Sequence, residues 1–131
     1  MPDYRKLLEQ LRDSYNSRDP DRWVEVWNPD SEWHPFTTAR EEGDPGYHGH
    51  NGMRTWFEDL DELFELTHVE LERFRSIGDR LLVLGRMTAR RRGSAEEVES
   101  DVGWVVEPKG ERFQRGWAYD SHEEAERAAK A

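Results

Sequence analysis

Val26-Trp27-Asn28-Pro29-Asp30-Ser31-Glu32-Trp33-His34-Pro35-Phe36 is the stretch on which the reading of this chain turns. Asn28 precedes a proline, which pushes it out of the helical region, so the pair is expected to stop a helix. Ser31 to Phe36 then reads as a short strand. Successive strand residues point to opposite faces, so either Trp33 or His34 enters the interior, but not both. Hydrophobicity alone favours Trp33.

Upstream, Tyr4, Leu7, Leu8, Leu11 and Tyr15 recur at helical spacing and predict an amphipathic helix ending near Asn16. Asp19-Pro20 supplies an N-cap and a proline at the first helical position. Trp23, Val24, Val26 and Trp27 give that short second helix its buried stripe. Downstream, the stretch 37–51 is polar, rich in glycine and proline, and without periodicity, which is expected of a functional loop, such as a lid, or of a mobile one. Asn51 is the expected cap of a long helix in which Met53, Trp56, Phe57, Leu60, Leu63 and Phe64 fall near a period of ~3.6.

From Thr67 the pattern changes to period two, punctuated at Gly78-Asp79, Gly93-Ser94 and Lys109-Gly110, so four antiparallel strands are predicted. Ser121 with Glu124 three residues later forms a capping box for a terminal helix through Lys130. Two-residue turns at the second and third punctuation points place Val83 opposite Trp104 and Arg86 opposite Asp101. They also place Arg115 opposite Trp104 and Tyr119 opposite Ser100. One sheet face then carries Leu81, Val83, Met87, Val102, Trp104, Val106, Phe113, Arg115, Trp117 and Tyr119, and must meet the helices. The other face is charged, with Leu82, Leu84 and Val105 as its large apolar members. A longer turn would shift the register and reverse the faces.

A chain of 131 residues is expected to form a single domain, 1–131, large enough to bury a core. All aromatic residues except Tyr4 lie between Tyr15 and Tyr119, which points to a packed interior despite 37% charged residues. The net charge of −10 argues against binding a nucleic-acid backbone. There is no cysteine, which excludes disulfides and thiolate chemistry. No apolar run approaches the roughly 18 residues of a membrane span, and Met-Pro-Asp-Tyr-Arg lacks the apolar core of a signal peptide. A cytoplasmic protein that does not enter membranes is expected. No glycine-rich phosphate loop is present, so no cofactor is expected. His48 and His50, spaced by one glycine, have no nearby third ligand; they are read as a solvated loop and no metal is expected.

The order helix, helix, strand, helix, four strands, helix resembles the nuclear transport factor two-like (NTF2-like) superfamily, and in particular its SnoaL-like branch. The residues that carry the resemblance are Asn16-Ser17-Arg18-Asp19-Pro20-Asp21-Arg22-Trp23, Pro29-Asp30-Ser31-Glu32-Trp33-His34-Pro35, Tyr47-His48-Gly49-His50-Asn51-Gly52-Met53-Arg54 and Gly78-Asp79-Arg80-Leu81-Leu82-Val83-Leu84-Gly85-Arg86. It implies an α+β cone, with a curved, mostly antiparallel sheet wrapped round three helices, a C-terminal helix and a deep pocket open at one end. It also implies a homodimer formed through the sheet. Members include ketosteroid isomerases, polyketide cyclases, dehydratases, epoxide hydrolases and non-catalytic binding domains, so fold does not settle function.

The resemblance favours His34 inward, because ketosteroid isomerases carry a general-base aspartate before a proline at a similar place. A histidine with an ordinary pKa of about 6.5 suits that work; the alternative is a part-buried ring satisfied by a backbone carbonyl. Arg115, enclosed by Trp104, Trp117 and Tyr119, would clamp a carboxylate or enolate oxygen, or else form a structural ion pair. The hydroxyls of Tyr119, Ser100 and Tyr15 are candidates to orient a polar ligand atom, with satisfied core hydroxyls as the alternative. Trp33, Trp104 and Trp117 are candidates to line a pocket for a flat apolar ligand. Asp101 is read as a surface ion pair with Arg86, Asp120 as the end of a strand, and Arg90-Arg91-Arg92 as cross-strand partners of Glu96, Glu97 and Glu99.

Two functions follow. One is a cofactor-independent isomerase, cyclase or hydratase doing proton-transfer chemistry on a hydrophobic carbonyl compound, with His34 as base and Arg115 or Tyr119 as oxyanion partner. The other is a non-catalytic dimeric domain that binds a small hydrophobic molecule; beside these two, a purely structural oligomerisation module would have its cavity filled by side chains.

Overall fold

The computed structural model describes residues 4–36 and 46–131. Helix α1, Tyr4–Ser17, buries Leu8, Leu11 and Tyr15 as its spacing requires. Near its end the Asn16 amide accepts the Val69 N–H at 2.8 Å and donates to the Val69 carbonyl at 3.0 Å, filling the place of a neighbouring strand. Helix α2 is shorter than expected, Pro20–Val24, with the Asp19 side chain capping the Arg22 N–H. Val26 and Trp27 are buried, but Trp27 already opens strand β1, Trp27–His34. Asn28-Pro29 therefore lies inside a strand. Proline has no N–H to give a ladder, and the parallel pairing of β1 with its neighbour slips between Trp27 and Glu32.

Strand β2, Tyr47–His48, pairs antiparallel with β1, and α3 runs Gly49–Leu63. Its cap position is His48, three residues before the expected Asn51, and Gly49 takes the left-handed φ of +70° that the entry into the helix needs. Phe64 starts strand β3, Phe64–Ile77, with no intervening loop, so the strand begins before Thr67. Strands β4, Arg80–Arg91, β5, Val98–Lys109, and β6, Arg112–Tyr119, follow, then α4, His122–Lys130, capped by the Ser121 hydroxyl on the Glu124 N–H. The six strands form one sheet in the order β2-β1-β6-β5-β4-β3. It is antiparallel except for β1 against β6.

The β4–β5 register is as expected, Val83 opposite Trp104 and Arg86 opposite Asp101, although the turn is longer than two residues. Residues added equally to both sides of a turn leave the register unchanged. The β5–β6 register is not as expected. Lys109 pairs with Arg112, so the turn is Gly110-Glu111, and β6 carries one extra residue, Gln114, between Pro108↔Phe113 and Glu107↔Arg115. Val105 then faces Trp117, and Trp104 faces Ala118. This bulge turns Arg115, Trp117 and Tyr119 to the face opposite Trp104, correcting the expected enclosure of Arg115. Two prolines sit at the irregularity, Pro29 in β1 and Pro108 in β5. The Gln114 amide compensates locally, accepting from Asn28 Nδ2 at 2.9 Å and donating to the Asp30 carbonyl at 3.1 Å.

The concave face and α1–α3 enclose the main core. The outer face has its own small core, in which Leu82, Leu84 and Val105 pack against Ala125 and Ala129 of α4. A Cβ on Gly103 would meet the Ala125 Cβ at 2.4 Å, so glycine there sets how closely α4 lies on the sheet. The apolar members of the outer face are thus covered by the chain's own C-terminal helix. Among the described residues no helix is long and apolar enough to cross a membrane.

Candidate functional site

Alternation along β1 resolves the choice between Trp33 and His34. Trp33 is the inward residue, 1% exposed, and its ring centroid lies 5.3–5.9 Å from those of Trp23, Trp27, Trp56 and Trp104. Most of these pairs are edge-on or tilted. Among the described residues the indole N–H groups of Trp23, Trp27, Trp33 and Trp56 have no hydrogen-bond acceptor, and edge-on packing is the geometry in which an N–H edge meets a π face. Gly116 makes this possible: a Cβ there would lie 2.6 Å from Trp27 and 2.9 Å from Trp33.

The deep pocket implied by the resemblance is therefore filled. What remains between Tyr15, Trp33, Phe36, Trp56, Trp104 and their neighbours is about 10 Å³, barely enough for one water. Tyr15 is part of this packing. Burial pushes its phenol up to about 12, with a hydrogen bond from Thr67 and the Arg18 charge opposing. Arg18 donates to the Thr67 hydroxyl at 3.1 Å and pairs with Asp61.

His34 points to the outer face, stacked on Trp117 at 5.8 Å with an interplanar angle of 10°. Arg115 and Tyr119 share that face. Arg115 Nε lies 3.0 Å from Glu107 Oε1, and its side chain is half exposed. The Tyr119 phenol is raised by partial burial, opposed by the Arg80 charge. The structure does bring His34, Arg115, Trp117 and Tyr119 together, but on an open sheet face beside α4 and not in an enclosed cavity. Arg115 is tied in an ion pair, the structural alternative raised by the sequence.

A cavity of about 360 Å³ lies where β3 begins and the β4–β5 hairpin turns. Phe36, Phe64, Met87, Ala89 and Val98 supply its apolar lining; Arg91, Ser94, Glu96 and Ser100 supply its polar groups. Phe36 and Met87 also line the filled interior, so this cavity sits directly above the tryptophan cluster, at the mouth of the cone. Of the residues singled out from sequence, Ser100 lines it, and Trp33, Trp104 and Tyr15 form the packing beneath it. Phe64, Met87, Ala89, Arg91 and Val98 were missed. The available signal was the apolar face continuing through Met87, Ala89 and Val98 beyond the reach of the helices, and Val98 is 57% exposed. Most of the expected loop, 37–45, lies outside the described residues.

The three arginines at the end of β4 differ from their expected pairing across the turn. Arg90 pairs with Glu65 at 3.0 Å, Arg92 donates to the Asp61 carbonyl, and the Arg91 guanidinium lies over the Phe64 ring at 5.2 Å. β3 and the end of α3 lie nearer to them than the glutamates of the longer turn. Asp101 pairs with Arg86 at 2.6 Å as expected, and that hydrogen bond holds its carboxyl below the ordinary range. His48 and His50 do not sit in a loop: His48 belongs to β2, beside Glu32 at 3.4 Å, and His50 Nε2 lies 2.8 Å from the Trp27 carbonyl in the first turn of α3. Among the described residues, no cluster of three or more His, Asp or Glu is placed to hold a metal.

Comparison with known proteins agrees with this architecture. An NTF2-like protein of unknown function from Burkholderia pseudomallei superposes with a TM-score of 0.80 at 15% identity, covering 100% of both chains. A Catenulispora acidiphila protein with a ketosteroid isomerase-like fold, in complex with trimethylamine, gives 0.76 at 13% identity over 87% of this chain and 84% of that one. A proposed polyketide cyclase from Sinorhizobium meliloti gives 0.68 at 18% identity over 87% and 94%. No curated protein matches the sequence. The SnoaL-like domain matches residues 8–116, most of the chain, and the protein belongs to that family within the NTF2-like fold.

Proposed function

We propose that this chain binds a small apolar molecule at the mouth of the cone and does so without catalysing a reaction. The observation that carries the reading is the mouth cavity, apolar on its floor and polar on its rim, while His34, Arg115 and Tyr119 face the other side of the sheet. A volume of about 360 Å³ falls within the usual range for small-ligand pockets, about 300–1,000 Å³. The tryptophan cluster beneath gives the cavity a rigid base, which limits the ordering that binding must impose.

N-phenyl-1-naphthylamine, uncharged and fluorescent in apolar sites, tests this. Saturable enhancement with wild type, lost in Ala89→Trp and Val98→Trp, supports the reading. Failure to saturate, or equal binding by the filled variants, sinks it.

A proton-transfer enzyme of the isomerase or cyclase type is the second reading. Two things favour it: the carboxylate of Glu96 on the cavity rim, and the name carried by the Sinorhizobium meliloti relative. Glu96→Gln separates the two, since an acid/base role predicts lost turnover with binding retained.

A further inference from the structure

The mouth cavity is lined by one arginine that the described residues leave without an anionic partner. Arg91 ends β4 and lines the cavity, and its two sequence neighbours are engaged elsewhere, Arg90 with Glu65 and Arg92 with the Asp61 carbonyl. Among the described residues Arg91 pairs with no carboxylate; its guanidinium is held over the Phe64 ring at 5.2 Å. Phe64 is 5% exposed and lines the same cavity. A guanidinium stacked on a fixed ring is oriented at small entropic cost, while its in-plane N–H fork stays open to an acceptor. Glu96 lines the cavity as well, yet forms no ion pair with Arg91.

From this geometry we infer that the ligand of the mouth cavity is an apolar molecule bearing one carboxylate, with its body on Phe36, Phe64, Met87, Ala89 and Val98 and its carboxylate on Arg91. The inference rests on the binding reading given above and adds the charge and the polar end of the ligand. The two strand neighbours Ala89 and Arg91 lie on one side of β4, two residues apart, so apolar floor and cation are presented along one line. An uncharged alcohol of the same length would fill the floor equally and leave the N–H fork without an anionic partner. Glu96 works against the carboxylate by like-charge repulsion, so its removal should strengthen the preference.

The test measures displacement of N-phenyl-1-naphthylamine by decanoate and by 1-decanol at pH 7.5. In Arg91→Gln the preference for decanoate over decanol is expected to fall about fivefold, the size of a partly exposed charge pair. Arg91→Lys should retain part of it, and Glu96→Gln should raise it. Added salt should weaken decanoate and leave decanol unchanged. A decanoate-to-decanol ratio that is the same in wild type and Arg91→Gln overturns the inference while leaving the cavity reading intact. Absence of dye binding to wild type overturns both.

Discussion

Arg115 Nε lies 3.0 Å from Glu107 Oε1, and Arg80 Nε lies 2.9 Å from the other oxygen of the same carboxylate. Glu107 lies in a row of alternating charge running across the outer face from β1 to β4: Glu32, Arg115, Glu107, Arg80. The two arginines are not equivalent. Arg80 also donates to the Ala128 carbonyl at 2.7 Å and to the Ala131 carbonyl, tying down the end of α4. Arg115→Gln should therefore change stability by less than about 1 kcal/mol, as exposed pairs do. Glu107→Ala strands two guanidinium partners and should cost about 1–3 kcal/mol. Urea unfolding midpoints of the two variants check the order; equal effects would mean that Arg115 is more than a surface partner.

Trp33→Ala should destabilise the fold by about 3–5 kcal/mol, because the ring is fully enclosed by other rings that cannot close over the space it leaves. The same variant opens the deep pocket that the family resemblance implied. Added indole should then raise its melting temperature and leave that of wild type unchanged.

Gly116→Ala should cost about 1–3 kcal/mol, since the new methyl must displace Trp27 or Trp33 from a close-packed interior. Thermal unfolding and near-ultraviolet circular dichroism report it together. A loss of stability with an unchanged tryptophan spectrum would argue against the ring displacement.

Tyr15 predicts an alkaline instability. Its phenol is raised to about 12 by burial, whereas in the unfolded chain it returns to about 10. Between these values the folded state keeps a proton that the unfolded state has released, so stability falls as pH rises. The contribution is complete below pH ~10, and about 2 kcal/mol is lost by pH ~12. Urea unfolding at pH 8 and pH 11 should show the fall, and Tyr15→Phe should reduce it.

The candidate site was only partly legible, for a reason located in a few residues. Ser100 falls on the face that lines the cavity, and Trp33 points inward, because alternation and face assignment are local properties. A regular ladder after the β5–β6 turn would put Arg115 and Tyr119 in the interior. One extra residue, Gln114, reversed their face, and Pro29 and Pro108 were the traces of that irregularity in the sequence. Arg91 was assigned to the glutamates across its turn, because sequence separation cannot show that β3 lies closer.

The sequence by itself determined the helices, the five longer strands, their order and the family, but not the short strand β2: helical and alternating periodicities, the Asp19 and Ser121 caps and the glycine turns all act within a few residues of one another. It also determined that an aromatic core would form. Tertiary structure decided which aromatic residues fill the cone and which face outward, because a bulge of one residue inverts every side chain beyond it. It likewise decided where space remains. The packing of Trp23, Trp27, Trp33, Trp56 and Trp104 closes the depth of the cone, and a cavity remains at the mouth, where the strands outrun the helices.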